Sequence, residues 1–129
     1  MAYIFQLSTV NCQLLDVGGG KLTVDDNGNI VAMGVIEAKG IVLSESATAS
    51  AIGSGQIPTG TSSVVIETSA LQPGAKVLIT ATGPTGGKSL YLSEKADYSS
   101  FTVAIENGPA SQNIEFDWLI INTSQISSN

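Results

Sequence analysis

Apolar and polar residues alternate along most of this chain with a period of two, the repeat that sends successive side chains to opposite faces of a β-strand. The pattern is cleanest in the C-terminal part. Ser100–Glu106 would bury Phe101, Val103 and Ile105, and Ile114–Ile121 would bury Ile114, Phe116, Trp118 and Ile120. Lys76–Thr82 places Val77, Ile79 and Ala81 on one face and Leu78 and Thr80 on the other. Further strands are predicted at Ala47–Ile52, ended by Gly53-Ser54-Gly55, and at Ser63–Glu67 and Ser89–Ser93. Turn residues separate them: Pro58-Thr59-Gly60, Gln72-Pro73-Gly74, Gly83–Gly87 and Asn107-Gly108-Pro109. No segment has a helical period. About six short strands punctuated by Gly/Pro turns predict an antiparallel β-sandwich, jelly-roll or Ig-like, over residues 46–129.

Residues 1–45 have a different texture, with short β-prone pieces joined by glycines. Tyr3–Val10 and Asn11–Val17 precede a Gly18-Gly19-Gly20 break. Lys21–Asp25 and Asn29–Gly34 flank Asp26-Asn27-Gly28, a hairpin signal that predicts a type I′ turn. Val35–Lys39 and Ile41–Leu43 follow. None of these pieces can cover its own apolar face, and an isolated hairpin is marginal in water. The N-terminal region is therefore expected to act in oligomerisation, with Ile4, Phe5, Leu7, Leu22, Val24, Ile30, Val35, Ile36, Ile41 and Leu43 as the candidate intersubunit contacts.

Composition narrows the function. The 129 residues are 43% hydrophobic, enough for a core, but only 12% charged, with eleven carboxylates against five lysines. The net charge of −6, with no Arg, disfavours phosphate backbones and anionic membranes, so neither nucleic acid nor membrane is expected as a partner. No apolar run reaches the length of a membrane span, and no signal peptide is read at the N-terminus. The absence of His removes the commonest general base and metal ligand. Cys12 is the single cysteine, read as a small buried apolar residue.

Four motifs invite sharper readings. Gly83-Pro84-Thr85-Gly86-Gly87-Lys88-Ser89 ends like a phosphate-binding P-loop, but its spacing is one residue short and a β-like segment follows where a helix is required, so a hairpin turn is expected. Asp25-Asp26-Asn27-Gly28-Asn29 has the composition of a calcium loop without the bidentate Glu, which leaves a looser cation site at Asp25 and Asp26 as the rival of a plain turn. Glu115 and Asp117, at i and i+2, have the spacing of a hydrolytic carboxylate pair and equally that of a strand's polar outer face. Tyr91 and Tyr98 flank the polar Ser93–Asp97 segment and are the candidate ligand-contact residues, for a glycan stacked on an exposed ring, whereas Trp118 is read as core. No catalytic, cofactor-binding or metal-ligating set stands out, and a non-enzymatic protein is expected.

The stretch Lys21–Ala38, KLTVDDNGNIVAMGVIEA, resembles the short β-repeats of trimeric bacteriophage tail fibres and related bacterial surface fibres, which carry a small β-sandwich tip. Ile57–Gly60, Ser63–Ile66, Lys76–Thr80, Phe101–Val103 and Phe116–Trp118 are similar to β domains that end fibre-like or surface proteins. The resemblance covers residues 21–121 and implies a trimeric, elongated, extracellular or virion-borne structural protein. Further copies of the chain, and cell-surface glycan or other structural proteins, are the expected partners. It carries over no catalytic residue. A filament in which Tyr3–Val10 completes the next subunit's sheet, and a carbohydrate- or receptor-binding module, are the alternatives.

Overall fold

The structure, a computed structural model, describes residues 13–46 and 48–123. The Tyr3–Val10 strand, its contacts Ile4, Phe5 and Leu7, and Cys12 lie outside these residues. Nine strands and no helix are present among them: β1 (Gln13–Val17), β2 (Leu22–Asp25), β3 (Ile30–Ala32), β4 (Ile52–Ile57), β5 (Ser63–Glu67), β6 (Lys76–Ala81), β7 (Leu90–Ala96), β8 (Ser100–Ile105) and β9 (Ile114–Ile121). The chain divides into two compact units, Met1–Ile41 and Val42–Asn129.

The second unit is the β-sandwich. Two three-stranded antiparallel sheets, in the orders β4-β9-β6 and β5-β8-β7, bury a shared core. Its six described strands are fewer than the seven of an Ig constant-type domain or the eight of a jelly roll. The two central strands carry the most alternating apolar sequence and are the most buried. Phe101, Val103 and Ile105 face inward from β8, and Ile114, Phe116, Trp118 and Ile120 from β9. Phe101 meets Trp118 edge-on, with ring centroids 5.3 Å apart and planes at 72°, a geometry aromatic pairs favour. The expected inward face of β8 and β9 is thus the observed one.

One expectation fails instructively. Gly53-Ser54-Gly55 was expected to end a strand at 47–52; instead these residues form the middle of β4, paired with Trp118, Asp117 and Phe116 of β9. The glycines are there because the aromatic rings lie over them. A Cβ on Gly53 would sit 2.6 Å from Trp118 Cζ2, and one on Gly55 would sit 2.5 Å from Phe116 Cζ. The rings take the space that side chains on β4 would occupy.

The turns follow their residues more closely. Gly60 (φ 83°) and Gly74 (φ 79°) take the left-handed conformation their turns require, and Ala75 N–H donates to Gln72 C=O at 3.0 Å. The Gly83–Ser89 segment contains a turn at Gly86 and Gly87 and leads into strand β7, not a helix. It is not a hairpin, however: β6 and β7 belong to different sheets, so the segment carries the chain from one layer to the other. Strand β7 also runs past Ser93 to Ala96, with an irregularity in register between Leu92 and Glu94. The polar Ser93–Asp97 segment hides this continuation in the sequence.

The first unit is one small antiparallel sheet in the order β1-β2-β3. Val35–Lys39 and Ile41–Leu43, expected as β pieces, form no strand.

Candidate assembly surface

Cross-strand register determines what the small sheet presents. Val17 pairs with Leu22, Leu22 with Ala32, and Val24 with Ile30. Partners across a ladder share a face, so Val17, Leu22, Val24, Ile30 and Ala32 form one apolar face. Asp16, Thr23 and Val31 form the other. An apolar sheet face needs a second layer to cover it. Here Ile30 remains 64% exposed and Val17 is exposed as well, while Leu22 and Val24 are half-buried. A groove of about 920 Å³ opens in this unit, lined by Leu22, Ile30, Ala32, Met33, Val35 and Ile36 among others.

Within this unit Met33, Val35, Ile36 and Ile41 are also exposed, Val35 at 97%; Val42 and Leu43, which open the second unit, are exposed as well. Scattered exposed apolar residues are ordinary, but a contiguous run of this kind marks an interaction surface. Full burial of one large apolar side chain is worth about 1.5–3 kcal/mol, so covering the exposed parts of Val17, Ile30, Met33, Val35, Ile36 and Ile41 would release on the order of 7–13 kcal/mol per chain. That is comparable with the estimated cost of association, about 4–15 kcal/mol.

Of the expected contacts, Ile30, Val35, Ile36, Ile41 and Leu43 are exposed, and Leu22 and Val24 share the apolar face with Ile30. Val17 shares the apolar face and Met33 lines its groove, and both escape a strand-alternation reading, whereas Val31 is exposed on the opposite face. Their signal is the run Ile30-Val31-Ala32-Met33, apolar at consecutive positions, which no strand with a single buried face requires.

The β2–β3 turn holds Val24 and Ile30 opposite each other, and Asp25 organises it. One Asp25 carboxylate oxygen accepts from Asn27 N–H at 2.9 Å and Asn29 N–H at 2.8 Å, and the other accepts from Asn29 Nδ2 at 2.8 Å. Gly28 N–H donates to Asp25 C=O at 3.1 Å. Gly28 has φ 81°, whereas Asn27 is not in the left-handed region. The turn is thus a type I turn closed by a left-handed glycine, not the expected type I′, because the Asp25 side chain satisfies the loop N–H groups. Both Asp25 oxygens are engaged within the loop. Among the described residues, no group of three or more acidic or cysteine side chains gathers as a metal site.

The Asn29 side chain above all, then the loop N–H groups, lower the Asp25 pKa below its ordinary value. The unfolded chain binds this proton more tightly than the folded hairpin does. The contribution to stability is therefore complete above the unfolded pKa of about 3.9 and is lost as pH falls through the lower folded value. The Gly28 and Asn29 amide resonances are expected to hold their positions from neutral pH down to about 4 and to collapse below it. Asp25→Asn should weaken the hairpin at pH 7 and abolish this titration. An unchanged acid transition in that variant would contradict the assignment.

The remaining candidates lie on the sandwich. Glu115 and Asp117 project from the outer face of β9, both exposed, and line a shallow depression of about 480 Å³ with Ser54, Gln56 and Thr82. Asp117 accepts a hydrogen bond from Ser54 Oγ at 2.7 Å. Tyr91 and Tyr98 are both exposed, but they stand apart: Tyr91 is the second residue of β7, and Tyr98 is in the turn after its other end. About 16 Å of strand separates them, so one sugar ring cannot stack on both. Trp118 is buried in the core.

Compared with known proteins, the chain matches no family model, and no curated protein or solved structure aligns with it significantly.

Proposed function

We propose that this protein is a non-enzymatic structural subunit of a homo-oligomeric fibre, virion tail or surface assembly, most simply a trimer. The observation that carries this reading is the exposed apolar surface of the first unit, between Val17 and Ile41. A second copy is the natural cover. Identical chains present identical apolar faces, and a closed symmetric ring can bury all of them at once without leaving an unmatched edge. The trimer comes from the fibre-like repeat at Lys21–Ala38. The β-sandwich forms the outer globule, and the setting is extracellular or on a virion. Electron microscopy of the purified protein tests the proposal. Particles of several chains, elongated along one symmetry axis, are expected; single-chain particles at every concentration would contradict it.

A further inference from the structure

One end of the sandwich carries a built polar cleft of about 350 Å³, lined by Thr48, Glu67, Thr68, Ser69, Tyr98 and Ser99. Main-chain hydrogen bonds tie its three segments together. Ser69 N–H donates to Thr48 C=O at 3.0 Å, Thr68 N–H to Ser99 C=O at 2.8 Å, and Tyr98 N–H to Leu71 C=O at 2.6 Å. Beneath them Thr68, 3% exposed, donates its hydroxyl to Ser50 C=O at 2.7 Å. The walls are thus fixed before any ligand arrives, which lowers the entropic cost of binding.

Tyr98 is the unusual member. Its φ of 58° lies in the left-handed region, where a bulky residue is an outlier and glycine would be free of strain. The turn could be made at lower cost without it, yet a 61% exposed aromatic side chain occupies it. Thr48, Ser69, Ser99 and Glu67 line the same cleft; Ser69 Oγ donates to Thr48 C=O at 3.0 Å and keeps its lone pairs free to accept.

We propose that this cleft binds a neutral saccharide. An aromatic face receives the C–H side of a pyranose ring. A carboxylate accepts hydrogen bonds from two adjacent sugar hydroxyls, and the Ser and Thr hydroxyls complete the polar contacts. Glu67 and the net charge of −6 disfavour acidic sugars. Only Tyr98 of the two expected tyrosines takes part. The site does not depend on how copies assemble, although several copies on one particle would multiply a weak contact into avid attachment.

The test is amide chemical-shift mapping on the full chain with the methyl glycosides of glucose, galactose, mannose and N-acetylglucosamine, and sialic acid as the acidic counter-probe. At least one neutral glycoside should shift the Ser69, Tyr98 and Ser99 amides saturably, and sialic acid should not. Tyr98→Gly relieves the backbone strain, so it keeps the fold while weakening binding roughly tenfold; Tyr98→Phe keeps the ring and should stay within about threefold. No saturable shift from any of the four, a preference for sialic acid, or equal binding by Tyr98→Gly would overturn the assignment.

Discussion

Phe116→Ala is expected to cost the sandwich about 3–5 kcal/mol, and Gly55→Ala about 1–3 kcal/mol, while the double variant costs clearly less than the two together. Phe116 is fully buried at the centre of β9, and its removal leaves a cavity that close-packed neighbours cannot fill. Gly55 fails for the opposite reason. A methyl group there would stand 2.5 and 2.8 Å from the Phe116 ring and 3.0 Å from Ile66 Cδ1, so the ring must leave its place or β4 must leave the sheet. Once the ring is gone, the methyl group has room and fills part of the cavity. Trp118 is the only tryptophan and is buried in the same core, so its fluorescence during urea unfolding reads the sandwich directly. Strict additivity of the two substitutions would show that Gly55 is not held to glycine by the ring.

Replacing Val35, Ile41 and Val42 together with aspartate is expected to reduce the particle to a single chain while leaving the urea midpoint of Trp118 unchanged. These are the three most exposed large apolar residues among the described ones. Each gives up about 1.5–3 kcal/mol of available burial, and a charge in their place would have to be desolvated at the interface. The split between the two readouts carries the argument. A loss of oligomer with an intact core places the effect in assembly, whereas a fall in both would mean that these side chains support the fold of the chain itself.

How far the sequence discloses this molecule depends on which physical force sets each element. The cores of β8 and β9 are legible because alternation reports burial directly. Phe101, Val103 and Ile105, and Ile114, Phe116, Trp118 and Ile120, face inward as the period of two requires. The turns at Gly60 and Gly74 are legible because left-handed backbone selects glycine. Strand β4 is not, because its glycines are dictated by aromatic rings on β9, some 60 residues later, and a local reading takes Gly53-Ser54-Gly55 for a break. The turn at Asn27-Gly28 was assigned the wrong type because the Asp25 side chain, not the Asn-Gly pair, organises the loop. Exposure along Met33–Leu43 is legible only as an apolar run, and the sequence does not disclose that Val35–Lys39 and Ile41–Leu43 form no strand. The Tyr98 cleft was half visible. The sequence marks the tyrosine, but Glu67 and Ser69 join it only through the pairing of β5 with β8 and the hydrogen bond of Thr68 to Ser99.

The most direct test of the central claim is the mass of the intact protein in solution, measured by sedimentation equilibrium across a wide concentration range. A particle of several chains, three by preference, that persists on dilution is the expected result. A well-folded species with the mass of one chain at the highest concentration would mean that the apolar surface of the first unit, between Val17 and Ile41, needs no partner copy, and the assembly account would be wrong.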